Sequence, residues 1–426
     1  MLGVGFAPAS PTLPAVQASP AATPALGQTT RLVARALGVE PAALSAGLRV
    51  VREADLLRVL PFRTALVGQG TGDDERYLRW RYRLGRGGVP ALGELWLLDV
   101  GGQLLALLGT EDVVLRAGDR RLPVERPMDL QIAPAARESG LGIWMNQAAA
   151  ARAGALLAIG CNVHSRGIVQ RLFTPLAPLR TYTYVIDSRP FLAKAGLRGP
   201  VGALAAAGGN VALRVREAWF AARRRARFEV RAIERFDGGD ALRDAQPDGD
   251  ALGFERRASA LNHRLFDNPR ARYFVAGAFE PAHPHAPRRG AVAWRFEPGL
   301  GGVPHVRVVD LWAGGGDAAG DAAVIEALLM HVFDEARRAG AHAVRVATAD
   351  PRRAAPLVRL GFASPGAAGE GMPMGLLVPG DAALARALAA LPCAITAVLD
   401  DDDGTYGAHA SYGSRHVAAA AATSSV

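Results

Sequence analysis

Asp129-Leu-Gln-Ile132-Ala-Pro134-Ala-Ala-Arg137-Glu-Ser-Gly140-Leu-Gly142-Ile-Trp-Met-Asn-Gln147 is the stretch whose reading decides the fold of this chain. An apolar strand, Met128 to Ala133, runs into Pro134; a loop then carries Arg137 and two glycines, and a helix opens at Gly142 and continues toward Ala153. Such a loop presents backbone N–H groups with few side chains in the way, and the first turn of the helix adds unpaired N–H groups and the positive end of its dipole. With Arg137 beside it, this cradle suits a pyrophosphate, so an anionic ligand is expected. The bare spacing of Arg, two residues, Gly, one residue, Gly recurs by chance about once in a chain this rich in Arg and Gly. The specificity comes from context: a strand ending in Ile-x-Pro before the loop and a helix after it.

Working outward, Leu48 to Arg52 alternates as a strand and Asp55 opens a helix through Leu60. A helical segment Tyr77-Leu-Arg-Trp80-Arg-Tyr82 follows, whose aromatics suit a core or a cleft wall. Glu94 to Val100 and Gln103 to Gly109 are strands joined by Gly101-Gly102, a hairpin signal. Beyond the quoted stretch come a short strand, Ala155 to Gly160, a short helix, Arg166 to Phe173, and a strand, Thr181 to Ile186. The same order then repeats with an offset of about 180 residues, Leu48 against Phe228 and Gly142 against Asp321, and includes an amphipathic helix from Asp321 to Arg338. The chain therefore reads as α/β with mixed sheets in two tandem units. The expected organisation is a disordered Ala/Pro-rich tail over 1–40, a first unit over 41–190, a linker helix over 191–226, a second unit over 227–392 and a C-terminal tail over 393–426.

Composition narrows the function classes. Of 426 residues 50% are hydrophobic and 21% charged, which fits a folded chain and excludes a largely disordered one. The formal charge is +9, but Lys194 is the only lysine and the arginines are scattered among acids, the pattern of a GC-rich bacterial genome more than of a nucleic-acid surface. No nucleic-acid partner and no membrane insertion are expected. Cys161 and Cys393 make neither a disulfide framework nor a metal cluster, His283 and His285 have no ligand partners in sequence, and Asp400 to Asp403 reads as a solvated loop, so no metal is expected. The N-terminus lacks the charged start of a signal peptide, which together with the cysteine usage points to the cytoplasm.

Ile132-x-Pro134-x-x-Arg137-x-x-Gly140-Leu-Gly142 resembles the acetyl-CoA motif of the GNAT superfamily of N-acetyltransferases, and the element order from Leu48 to Ile186 resembles that family's fold. The second unit is similar in order and ends in Arg359-Leu-Gly-Phe362, like the family's closing segment. The resemblance implies acetyl-CoA as cosubstrate and a small-molecule amine, or a cell-envelope or polysaccharide precursor, as acceptor. It implies that Arg137, Glu138, Ser139, Gly140, Leu141 and Gly142 hold the pyrophosphate. Leu130, Gln131 and Ile132 would pair with the pantetheine amide on a strand splayed from its neighbour, and Asn162 would lie near the cofactor. An amine with pKa about 10 must lose a proton before attack, so a carboxylate is needed; Asp129 and Glu125, on that strand, are the candidates.

The chain departs from the family in two places. The general-acid tyrosine of many members falls near Val169 and Val358, which cannot donate a proton; Tyr184 or Tyr182 could substitute, or the thiolate could leave unassisted. The second loop, Gly314 to Asp321, has acids where phosphate would lie, so the second unit reads as a degenerate copy. Two rivals stay open: a Fem-type aminoacyl transferase using aminoacyl-tRNA, and a non-catalytic CoA-binding scaffold.

Overall fold

The structure, a computed structural model, describes residues 24–68, 74–84, 91–160, 165–224, 228–237, 251–281, 288–314, 318–363 and 371–399. The first half runs α1 (Pro24–Leu37), α2 (Pro41–Gly47), β1 (Leu48–Val50), α3 (Leu56–Val67), α4 (Glu75–Arg81), β2 (Gly93–Val100), β3 (Gln103–Ala117), β4 (Arg120–Ile132), α5 (Leu141–Ala153), β5 (Leu156–Ile159), α6 (Arg166–Leu172) and β6 (Thr174–Val185). Two helices, α7 (Arg189–Lys194) and α8 (Gly199–Arg224), lead into the second half. That half runs β7 (Glu229–Ala232), β8 (Leu252–Phe254), α9 (Ala258–Phe266), β9 (Phe274–Phe279), β10 (Gly290–Pro298), β11 (Pro304–Ala313), α10 (Ala318–Arg338), β12 (Ala343–Thr348), α11 (Pro351–Leu360), β13 (Met372–Leu377) and α12 (Ala382–Ala389).

Each half contains an antiparallel meander, a crossover helix and a parallel return strand: β2-β3-β4-α5-β5 and β9-β10-β11-α10-β12. Gly101 and Gly102 both have positive φ, 61° and 82°, as the tight β2–β3 turn demands. The halves are joined by an exchange of closing strands. β6 pairs with β12 of the second half, Val185 opposite Ala343 through Arg180 opposite Thr348, while β13 pairs with β5 of the first, Leu377 opposite Leu156. β6 and β13 also pair with each other, so one sheet crosses the molecule in the order β1-β2-β3-β4-β5-β13-β6-β12-β11-β10-β9-β7.

This corrects the expected division at 190 and 227, because each closing strand supplies backbone partners to the other half's open edge. The expected tail is also corrected from Pro24 onward, residues 1–23 lying outside the described residues. Pro24 starts α1, and its stripe of Leu26, Thr30, Val33 and Leu37 lies against α5, with Val33 and Ala34 buried and the Trp144 indole N–H donating to Thr30 Oγ1 at 2.9 Å. The 393–426 tail begins as core: Cys393 to Leu399 are buried, and Leu252 and Thr348 bridge to Cys393 and Thr396. Burial pushes the Cys393 thiol up to about 11. In the 191–226 segment α8 packs on α10, and its buried Glu217 accepts from Tyr184 Oη at 2.5 Å.

Candidate functional site

The first half's site begins where β4 and β5 part. The two strands pair at one register, Glu125 opposite Leu156, with Glu125 N donating to Ala155 O at 3.0 Å, and from there to Ile132 and Ile159 they do not pair. A bulge makes the separation. The β3–β4 register slips between Leu107 and Gly109, and Asp129 adopts φ 48°, left-handed for a residue with a side chain. The free backbone edge of β4 over Leu130, Gln131 and Ile132 therefore faces an opening with its apex at Glu125.

Ala133 N makes the last ladder bond, to Leu105 O, and Pro134 then starts a short 3₁₀ helix that runs to Ser139. Ser139 Oγ donates to Ala136 O and accepts from Leu141 N. Gly140, φ 80°, reverses the chain into α5, a conformation that favours glycine. Arg137 and Glu138 are exposed, and Arg137 forms no ion pair among the described residues. A free cation thus stands beside the N-terminus of a thirteen-residue helix. Gly142 has a packing role in addition: a Cβ there would stand 2.9 Å from Ile168 Cδ1 and 3.2 Å from Ile132 Cδ1, so its smallness lets α6 seat against β4 and α5. Val33 of α1 approaches Gly140, which makes α1 a wall of the loop.

The candidate bases lie on opposite faces of the sheet. Glu125 is on the α5 face, held by Arg152 at 2.5 Å; burial raises its carboxyl above the ordinary value despite Arg152 and Thr110. Asp129 is on the α3/α4 face, where Tyr82 Oη donates to it at 2.7 Å and Arg63 Nη1 lies 3.7 Å away. Burial alone would raise Asp129, but Arg63, Arg81 and the Tyr82 hydroxyl outweigh it and hold the carboxyl below its usual range. Burial, and then the charge on Asp129, pushes the Tyr82 hydroxyl well up. Gly109 makes room for that tyrosine ring, since a Cβ would meet Tyr82 Oη at 2.2 Å.

Tyr184 is corrected. It lies on β6 in the second half's core, stacked on Phe333 at 4.2 Å and bonded to Glu217, because the strand exchange carries β6 away from the loop. Tyr182, on the same strand, goes with it. Asn162, His283, His285 and Asp400 to Asp403 lie outside the described residues, as do residues 315–317 of the second loop. Among the described residues no group of three or more His, Cys, Asp or Glu could hold a metal ion, and no helix is long and apolar enough to cross a membrane.

Arg63 and Arg81 are the site residues that sequence reading misses, whereas Tyr82 is among the aromatics it places in a core or cleft wall. The signal for Arg63 was its place on the buried stripe Leu56-Val59-Arg63 of α3, where an arginine needs a reason. The clasp between halves was not legible: Trp80 Nε1 donates to His263 O, His263 Nε2 lies 2.8 Å from Trp80 O, and the rings stack. Beside it, a cavity of about 360 Å³ is lined by Glu111 and Val113 of β3, Ser259, His263 and Arg264 of α9, and Leu399.

The second half parts in the same way and is filled. β11 and β12 pair over Val306–Val308 and 344–346, and beyond this the C-terminal segment enters, Thr396 Oγ1 donating to Asp310 Oδ1 at 2.8 Å. The space among Val309, Asp310, Ala347, Thr348, Arg353 and Thr396 has no room for a water.

No protein-family profile matches the chain, and no curated protein matches its sequence. Solved structures do resemble it. A GCN5-related N-acetyltransferase from Anabaena variabilis aligns at a TM-score of 0.51 and 9% identity, over 78% of this chain and 72% of that one. Saccharomyces cerevisiae N-myristoyltransferase with bound myristoyl-CoA aligns at 0.46 and 12%, over 78% and 81%. A probable N-acyltransferase from Enterococcus faecalis, a conserved protein of unknown function, aligns at 0.44 and 10% over 71% of this chain, which spans 64% of that chain's length. The chain shares the fold of that GCN5-related N-acetyltransferase.

Proposed function

We propose that the chain is an N-acyltransferase that takes acetyl-CoA at the β4–β5 opening and passes the acyl group to the amine of a small molecule. The observation that carries this is the unpaired edge of β4 leading into the Arg137–Gly142 loop and the N-terminus of α5. The residues fit such a donor. Arg137 and the first-turn amides of α5 would meet its phosphates, and the free N–H and C=O groups of β4 would pair with its amide arm. The shared fold of the Anabaena N-acetyltransferase agrees with the reading.

Transfer forms an amide C–N bond and breaks the thioester C–S bond, with one proton leaving the amine and one reaching the thiolate. Holding the two reactants together at the apex supplies most of the rate. Of the two carboxylates, Glu125 has the raised proton affinity that a base needs, whereas Asp129 is held ionised as the acceptor of the Tyr82 hydroxyl. The test is thiol release from acetyl-CoA across a panel of amines. Amine-dependent release supports the reading; a folded protein that releases no thiol with any amine overturns it.

A further inference from the structure

We propose that the α3/α4 face of β4, at the Asp129 bulge, is the seat of an anionic group, a carboxylate, on the acceptor, and that Arg63 receives it; this rests on the acyl-transfer reading. The side chain of Arg63 is 2% exposed, and its Nε and Nη1 have no hydrogen-bond partner. Its nearest carboxylate oxygen, Asp129 Oδ2, is 3.7 Å away and already accepts from Tyr82. A buried guanidinium with unmade hydrogen bonds is costly, and its planar fork matches a carboxylate in two parallel bonds. A second orphan stands on the same face: Gln131 pairs across the ladder with Leu107 of the α3/α4 core, and its Oε1 is buried without a partner.

The neighbouring arginines face carboxylates of their own, and Arg63 keeps its unpartnered Nε and Nη1. Arg81 and Arg126 face Glu111, as does Arg264; Arg270 pairs with Asp74. The anion is not the donor's pyrophosphate, because the Arg137–Gly142 loop lies beyond the far end of the β4 edge and packs on α1 and α5, against the opposite face of the sheet. An acceptor held by a carboxylate at Arg63, with its amine turned to the opening beside the bulge, is amino-acid-like.

The experiment titrates the full chain with N-acetylglycine, N-acetylleucine, N-acetylphenylalanine and N-acetylglutamate, each against its α-amide, by ligand-observed NMR. At least one acid is expected to bind about 100-fold more tightly than its amide, since a site built for hydrogen bonds rejects the analogue lacking them. Arg63→Gln is expected to erase that preference and Arg63→Lys to keep part of it. Acids and amides binding alike, no acid binding, or a preference that survives Arg63→Gln overturns the proposal. Should Arg63→Gln not fold, the wild-type comparison and Arg63→Lys decide. Acetyl-CoA binding is measured on the same samples: its absence with the acid preference intact sinks the acyl-transfer reading alone, and its presence without that preference sinks the carboxylate seat alone.

Discussion

Replacing Gly140 by Asp and, separately, by Asn separates charge from backbone at the loop. Gly140 holds φ 80°, and a Cβ there would find only Val33 Cγ2, at 3.7 Å, so neither variant is sterically blocked. Left-handed φ costs an ordinary residue about 1–2 kcal/mol, less for Asn and Asp, and an acid before the first turn of α5 regains about 0.3–1 kcal/mol. Both variants should therefore stay within about 1 kcal/mol of the parent in unfolding experiments. Binding should differ. A carboxylate about 5 Å from a phosphate, at an effective dielectric of about 20–40, opposes it by about 2–3 kcal/mol, or about 30- to 200-fold in Kd. Calorimetry with acetyl-CoA should show that loss for Gly140→Asp, a few-fold loss for Gly140→Asn, and a gap that narrows as salt is raised. Equal affinities for the two folded variants would refute an anion seated on this loop.

Four further outcomes are expected. Glu125→Gln should lower kcat with little change in the affinity for acetyl-CoA; unchanged kcat would remove Glu125 as base. Burial would raise Glu297, but His305, Arg295 and Arg307 hold it at about 2 against an ordinary 4.5. The native state thus binds fewer protons there, and at most about 3 kcal/mol of stability present above pH 4.5 is lost as pH falls toward 2. Glu297→Gln should weaken the fold at pH 7 and flatten that acid dependence in urea unfolding, and an unaltered profile would contradict the pairing. A fragment ending at residue 190 leaves the β5 edge without β13 and should be soluble only when co-expressed with the remainder, so a folded monomer on its own would contradict the exchange. Thr30→Ala strands the Trp144 indole N–H and should cost about 1–2 kcal/mol, read as a lower unfolding midpoint.

The loop from Pro134 to Gly142 was legible because proline, glycine and helix-opening signals are local. The parallel unit around α5 and its repeat around α10 were legible for the same reason, since periodicity marks each element. What failed was partnership. Nothing in Thr181 to Ile186 says whether its edge meets β5 or β12, so the strand's sequence does not place Tyr184 in the second half's core. The Ala/Pro-rich composition of residues 1–40 hides the stripe Leu26, Thr30, Val33 and Leu37. The bulge at Asp129 depends on Tyr82 and Arg63 arriving from α3 and α4, and the filling of the second opening depends on a segment nearly 90 residues downstream of Asp310.

On the proposed function, the first half of the molecule binds an acyl-CoA and the second, its opening filled by Thr396 and its neighbours, does not. Calorimetric titration of the full chain with acetyl-CoA tests it most directly. A single site per chain is expected, weakened about 30- to 200-fold in Gly140→Asp and kept in Asp310→Asn. No heat of binding from a folded protein, or two equivalent sites per chain, would contradict it.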